Sequence, residues 1–431
     1  MLSEGKQELK QLLAVLTESI NNLVDSDEVC IGSLHSSDPA SSAPVLTRDS
    51  VMASLAASQL MAHLNGAAHG LMTSFFIHVP HCLRVVIEAH VTEVLREAGK
   101  PLHVNDIAKQ ARVLRLLAAH HFFKEVEQDI FVNNRCAVGL DTFKSVKDLQ
   151  NTDEISKASS YLAEFLLDPS TSTSVAVDNT PWQLGHHTDK VCWEYIAQQE
   201  SRVNRFASAM IAVNSFGGGI KGVTFDNGFN FKGLGTGTTL VDVGSGAGAL
   251  SLVLHQTCPN INLVLQDRPE VIEGETTKTF EREVPEALKS GQIKLQPHDF
   301  FTPQPVKNAD VYLMRAIIHD WPDAEALVIL KHLAAAASPN SQLLVIEHVI
   351  QSLAPLPSSS TNGNGSNDKH VLTLQAPPVP YHLDLQMMCA LNAQERTVEQ
   401  FQTLLKKGGW NVERVGRGTP DAPCHFICKL A

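Results

Sequence analysis

Residues 239–250 read Thr239-Leu240-Val241-Asp242-Val243-Gly244-Ser245-Gly246-Ala247-Gly248-Ala249-Leu250. The run 240–243 is apolar and rich in valine apart from Asp242, the pattern of a strand buried on both faces. It breaks into alternating glycines and resumes at Leu250-Ser251-Leu252-Val253-Leu254-His255 with helical spacing. Strand, glycine turn and helix together open an α/β nucleotide-binding unit. Glycines let the backbone approach a ligand closely, and the helix start offers unpaired N–H groups.

The spacing of Gly244, Gly246 and Ala249 satisfies G-x-G-x-x-A, so the glycines alone fit either NAD or S-adenosylmethionine. Residues 263–267 read as a second strand that ends in Asp267, about 20 residues beyond the first glycine, where a ribose-binding carboxylate belongs. Both cofactors carry that ribose. Asp242 separates them: a carboxylate inside a buried strand needs a partner. The ammonium of a methionine moiety supplies one, whereas a pyrophosphate is repelled.

Working outward, strands and helices alternate to the end of the chain. Further strands are predicted at 293–295, 311–315 and 342–347, with two final strands at 410–415 and 424–430 joined by a Gly- and Pro-rich turn. The expected fold is α/β, a mainly parallel sheet with a C-terminal hairpin, occupying 233–431. Within it, residues 352–379 form a Ser-, Pro-, Asn- and Gly-rich insertion, expected to be a disordered surface loop.

Upstream the chain is mostly helical. Leu9, Leu12, Leu13, Leu16, Ile20 and Leu23 fall at helical spacing, and such a stripe must be buried against something. Residues 1–49 are therefore a leading helix and a flexible linker, and 50–232 a second domain. In that domain a short helix, the helix 111–120 and two strands near 122–126 and 130–133 give a winged-helix outline. A DNA-reading role finds little support, because the would-be reading helix offers only Arg112 and Arg115. Packing and dimerisation are the expected roles.

The totals agree. At 431 residues the chain holds two sizeable cores. A net charge of −12 argues against a phosphate-backbone partner. Eight scattered cysteines lack C-x-x-C spacing, so they read as reduced thiols of a cytoplasmic protein and not as a zinc site. No apolar run approaches a membrane span, and no secretion signal opens the sequence.

A second constellation, Arg315-Ala316-Ile317-Ile318-His319-Asp320-Trp321, follows the strand 311–315. Residues at the carboxyl ends of parallel strands face the ligand crevice, so His319 stands where a base is wanted. Glu347, ending the next strand, and Glu395 are carboxylates that can accept a hydrogen bond from one ring nitrogen and leave the other free.

The glycine motif, Gln266-Asp267-Arg268-Pro269, His298-Asp299-Phe300-Phe301, His319-Asp320-Trp321, Glu347 and Glu395-Arg396-Thr397 occur in one order. That ordered set resembles the plant and fungal S-adenosylmethionine-dependent O-methyltransferases of the caffeic acid type, over residues 50–431. The resemblance implies a class I methyltransferase domain with a Rossmann-like seven-stranded sheet behind a winged-helix dimerisation domain, working as a homodimer without metal. It implies that Asp242, Gly244, Gly246 and Gly248 hold the methionine end of the cofactor and that Asp267 and Arg268 lie at the ribose. Asp299 and Phe300 would flank the adenine, and Arg315 stands where plant members carry lysine. His319 matches the base, with Glu347 and Glu395 orienting it. Phe206, Met210, Trp321, Met388 and Asn392 are expected along the pocket of a phenolic acceptor. The products would be a methyl ether and S-adenosylhomocysteine. An NAD-dependent oxidoreductase would share the glycines, and a non-catalytic regulator could share the fold.

Overall fold

The structure is a computed structural model that describes residues 4–27, 31, 33–36, 47–74, 78–107, 111–140, 152–203, 205–206, 228–351, 379–417 and 423–431. The chain divides into two compact units. One comprises Met1–Ser156, Ile196–Phe216 and Ser352–Pro377; the other comprises Lys157–Tyr195, Gly217–Gln351 and Pro378–Ala431. Residues 157–195 thus cluster with the sheet. Met210 and the insertion at 352–378 lie outside the described residues, and Val379 opens a helix, Val379–Leu391.

In the first unit the leading helix Glu4–Val24 packs along the helix Arg48–Ser74. Leu12 and Ala56 are buried between them, with Leu16, Met52 and Leu55 around. Part of the apolar stripe stays uncovered: Leu13, Ile20, Val24, Met61 and Leu64 are exposed.

The winged-helix outline is present. β1 (Leu102–His103), β2 (Lys124–Glu127) and β3 (Ile130–Val132) form an antiparallel sheet in the order β1-β3-β2. The helix Ala111–Ala119 sends Leu114 and Leu117 into a core with Val86, Ile87, Phe123 and Phe131. Arg115 is not free for a phosphate. It donates to Glu125 Oε1 at 3.1 Å and to Asp129 Oδ1 at 2.8 Å on the wing.

The second unit is built on a seven-stranded sheet. Its strands are β4 (Thr239–Val243), β5 (Asn262–Asp267), β6 (Ile293–Pro297), β7 (Val311–Arg315), β8 (Gln342–Glu347), β9 (Trp410–Arg417) and β10 (Cys424–Leu430). The order is β6-β5-β4-β7-β8-β10-β9, parallel through β8, with β10 antiparallel to both neighbours. Alternation along β4 divides the core. Val241 and Val243 face one apolar layer with Ile329, Leu333 and Phe401, and Leu240 faces the other with Leu250, Leu254 and Phe280. β5 follows β4 on one side and β7 lies on the other, so the strand order reverses between β4 and β7. A crevice at the carboxyl ends of the strands is where open α/β sheets bind ligands.

The described residues that flank 352–378 are pinned. Tyr381 Oη donates to the Gln351 carbonyl at 2.7 Å, and Ile350 N donates to the Arg396 carbonyl at 3.2 Å.

Candidate active site

The glycine turn leaves β4 with Gly244, Gly246 and Gly248 all at positive φ. Gly248 heads the helix Ala249–Thr257 at φ 75°, and a Cβ there would run into the Phe280 ring. At Gly246 a Cβ would meet nothing within 4 Å, which leaves the backbone open to a ligand. The turn is already held in shape. Gly244 N and Ser245 N donate to the Gln266 carbonyl at 2.8 and 3.0 Å, and Gly246 N donates to Asp267 Oδ2 at 2.8 Å. Asp267 Oδ1 accepts from Arg268 N at 2.8 Å, and burial raises the pKa of this carboxyl above the usual range.

Asp242 faces the helix Ala249–Thr257. Its Oδ2 accepts from Ser251 Oγ at 2.6 Å, so the partner that the sequence argument sought in a ligand is supplied within the chain. Burial lifts this carboxyl to about 6, against the Ser251 bond and the Arg315 charge, which pull it down. Arg315 ends β7 in the fields of Asp242 and Glu347.

Arg268 is half-exposed and pairs with Glu270 at 3.1 Å. Asp299 is exposed and its Oδ1 accepts from Phe301 N at 3.0 Å. Phe300 stands edge-on to Phe301 and Trp321, with centroids 5.1 and 5.9 Å away.

His319 lies beyond the end of β7. The chain leaves β7 through Ala316 at φ 52°, a left-handed conformation that costs a non-glycine residue about 1–2 kcal/mol. Glu347, at the end of β8, stabilises the turn. Its Oε1 accepts from Ile317 N at 2.9 Å and Ile318 N at 2.7 Å. His319 follows in the short 3₁₀ turn Ile318–Asp320. Its Nδ1 meets Glu395 Oε1 at 2.7 Å, and its Nε2 lies 3.6 Å from Asp320 Oδ1, too far for a hydrogen bond. Glu395 therefore orients the ring directly, while Glu347 acts on the backbone that carries it.

The electrostatics are strong. Burial pulls the His319 pKa down, but Asp320, Glu347 and Glu395 outweigh it and push the ring to about 10. Burial raises Asp320 to about 6 and Glu347 to about 7. His319 is thus an imidazolium at neutral pH in the ligand-free protein, and it must shed that proton before it can act as a base.

On the remaining expected positions, Met388 is half-buried on the helix Val379–Leu391. Asn392 donates its side-chain amide to the carbonyls of Ala176 and Asn179, at 2.8 and 2.7 Å, anchoring that segment. Phe206 is half-buried in the other unit.

Four residues about the strand ends were given no site role from sequence: Ser245, Gln266, Gln304 and Arg396. Ser245 Oγ is buried without a hydrogen-bond partner, as are Glu347 Oε2 and Glu395 Oε2. Buried polar atoms of this kind are available to a ligand or to water. Gln266 and Gln304 exchange amide hydrogen bonds at 2.8 and 2.7 Å, joining β5 to the segment after Phe301. Arg396 is wholly buried beneath the His319 turn. The positively curved glycine turn, the Asp267 carboxylate beside it and the unpaired Ser245 hydroxyl together fit an adenosyl amino acid. Among the described residues no group of three His, Cys, Asp or Glu side chains is placed to hold a metal ion, and no helix is long and apolar enough to cross a membrane.

Comparison with known proteins places the chain in a family. Residues 176–411 match the family model described as an O-methyltransferase domain. An O-methyltransferase of Armillaria gallica is 35% identical over 375 residues, covering 78% of each chain. A 4-O-methyltransferase of Phanerochaete chrysosporium is 33% identical over 374 residues, again covering 78% of each. Among solved structures, OxaC in complex with S-adenosylhomocysteine and oxaline superposes with a TM-score of 0.73 at 20% identity, over 99% of this chain and 100% of that one. LepI in complex with S-adenosylmethionine gives 0.72 at 19%, over 98% of this chain and 99% of that one. At such identities the likeness is one of fold.

Proposed function

The chain belongs to the O-methyltransferase family, and from that premise we propose that it methylates a hydroxyl of a small phenolic molecule with His319 as general base. The observation that carries the reading is the 2.7 Å bond from His319 Nδ1 to Glu395, which leaves Nε2 without a hydrogen bond at the carboxyl end of β7. Bound S-adenosylmethionine supplies an electrophilic methyl group on a sulfonium. Gly246, Ser245 and Asp267 would hold it, Asp267 at the ribose hydroxyls.

A phenol with a pKa of about 10 is almost wholly protonated near neutrality. His319 Nε2 takes its proton as the oxygen attacks the methyl carbon and the carbon–sulfur bond breaks. Glu395 stabilises the imidazolium so formed, and Glu347 keeps the turn in place. General-base help of this kind is worth about 10²–10⁴-fold, and in-line alignment of oxygen and methyl at least as much. We also propose a homodimer, supported by the uncovered Leu13, Ile20, Val24, Met61 and Leu64 of the first unit.

The test pairs calorimetric titration with S-adenosylhomocysteine and with NADH against labelled methyl transfer to catechol and other simple phenols. Binding of the first ligand alone, transfer by the wild type, and a loss of about 10²–10⁴-fold in His319→Ala with binding intact is the expected result. NADH binding, or near-normal transfer by His319→Ala, overturns it.

A further inference from the structure

Glu395 and Arg396 are adjacent, yet they hold the His319 turn by different handles. Glu395 takes the ring. Arg396, 1% exposed, takes the backbone: Nη1 donates to the Ile318 carbonyl at 3.0 Å and Nη2 to the Trp321 carbonyl at 2.8 Å. Those carbonyls lie one residue before His319 and two after it, so the guanidinium spans the turn that carries the base. Its Nε and Nη2 also donate to Asp323 Oδ1, at 3.1 and 2.8 Å, at the start of the helix Asp323–Ala336. The Arg396 backbone is fixed in turn, bridging to Val349 just beyond Glu347.

A buried cation is costly unless every donor finds an acceptor. Here the acceptors are two main-chain carbonyls and one carboxylate that is itself 58% exposed. A neutral apolar side chain could fill the same space more cheaply, but it would leave both carbonyls unpaired and the turn unheld. Only a planar fork reaches all three at once; a lysine ammonium is a point donor.

We propose that Arg396 is a positioning residue for the methyl transfer, clamping residues 318–321 so that the His319 ring meets Glu395 through Nδ1 and presents Nε2. This rests on the reading of His319 as the base. A cavity of about 210 Å³, lined by Asp323, Arg396, Gln400 and Lys407 among others, opens beside the guanidinium. Truncation of Arg396 therefore leaves a void that a free guanidinium ion can enter.

The experiment combines proton NMR of the full chain with turnover. An Nδ1–H held at 2.7 Å from a buried carboxylate gives a far-downfield resonance, assigned by its loss in His319→Ala. In Arg396→Ala this resonance should vanish, and added guanidinium should restore it; Arg396→Lys should not. Transfer to the phenol that the wild type methylates should fall about 10²-fold in kcat, the scale of an ångström's misplacement, with S-adenosylhomocysteine affinity unchanged. On a His319→Ala background the same substitution should cost little more, since residues acting as a unit are not additive. A resonance unmoved in Arg396→Ala overturns the proposal, as does an equal loss with and without His319. Should Arg396→Ala fail to fold, Asp323→Asn, which removes one anchor near the surface, should shift the same resonance and cost about tenfold in kcat; no shift there also overturns it. Full activity of His319→Ala would instead refute the base, and the resonance would still decide the clamp.

Discussion

Replacing Glu395 by glutamine keeps an oxygen within reach of His319 Nδ1 but removes the charge. His319 now stands at about 10, against 6.5 for a free imidazole, with burial opposing and three carboxylates favouring the proton. That rise amounts to about 5 kcal/mol in favour of the charged ring. Of the three carboxylates only Glu395 also hydrogen-bonds the ring, at 2.7 Å. An opposite charge at such range commonly moves a pKa by 1–3, so Glu395→Gln should bring His319 down to about 7–9. In the wild type the charged imidazole dominates at pH 7, and kcat/KM should climb with pH up to about 10. In the variant the climb should level off about 1–3 pH units earlier. The assay is labelled methyl transfer across pH 6–11 on one acceptor, so that ionisation of the phenol cancels between the two proteins. The plateau itself should be lower, because the imidazolium loses its counter-charge. A limiting pKa unchanged within a few tenths refutes the electrostatic account, whatever happens to the rate.

Three further outcomes follow from the geometry. Asp267→Ala should weaken S-adenosylhomocysteine binding by about 10–100-fold in calorimetry, from the loss of charge-assisted bonds worth about 1.5–3 kcal/mol, while the melting curve stays cooperative; unchanged affinity counts against the ribose role. Ser251→Ala strands the Asp242 carboxyl without a donor and should cost about 1–3 kcal/mol in denaturant unfolding; a neutral result would mean that water replaces the hydroxyl. His425 is buried, and its Nδ1 accepts from Phe229 N at 3.0 Å; burial, then Arg414 and Arg315, lowers its pKa to about 4. A depressed histidine costs no stability above 6.5, and stability is lost as pH falls through 6.5 to 4, here by about 3 kcal/mol. His425→Asn retains an acceptor near the Nδ1 position and should not show that loss; parallel unfolding curves for the two proteins would contradict the assignment.

The sheet was legible because β4, β5, β7 and β8 are short, largely apolar runs bounded by glycine or charge, which suits strands buried on both faces. The carboxyl-end positions of Asp267 and His319 followed from the same logic. What Glu347 does was not legible. A glutamate at a strand end looks equally able to meet a ring or a backbone, and only the left-handed turn at Ala316 brings two N–H groups under its oxygen. Arg396 was passed over because a charged residue ahead of a capped helix usually points to water; its burial depends on carbonyls some 75 residues away in sequence. Ser251, by contrast, did carry a signal. A small polar residue inside the apolar stripe 250–254, one helical turn from the glycines, faces back toward Asp242.

Tyr381 and Gln351 meet through a side-chain bond where the described chain breaks off and resumes. Gln351 is tied to Tyr381 and Ile350 to Arg396, so the strand that ends in Glu347 and the segment that begins at Glu395 are joined by direct bonds as well as by the intervening chain. Loop closure grows only logarithmically with length, each doubling costing about 0.6 kcal/mol. Changing the number of residues between Gln351 and Tyr381 should therefore cost little stability and leave the histidine and its carboxylates in place, which melting curves and turnover of length variants would read.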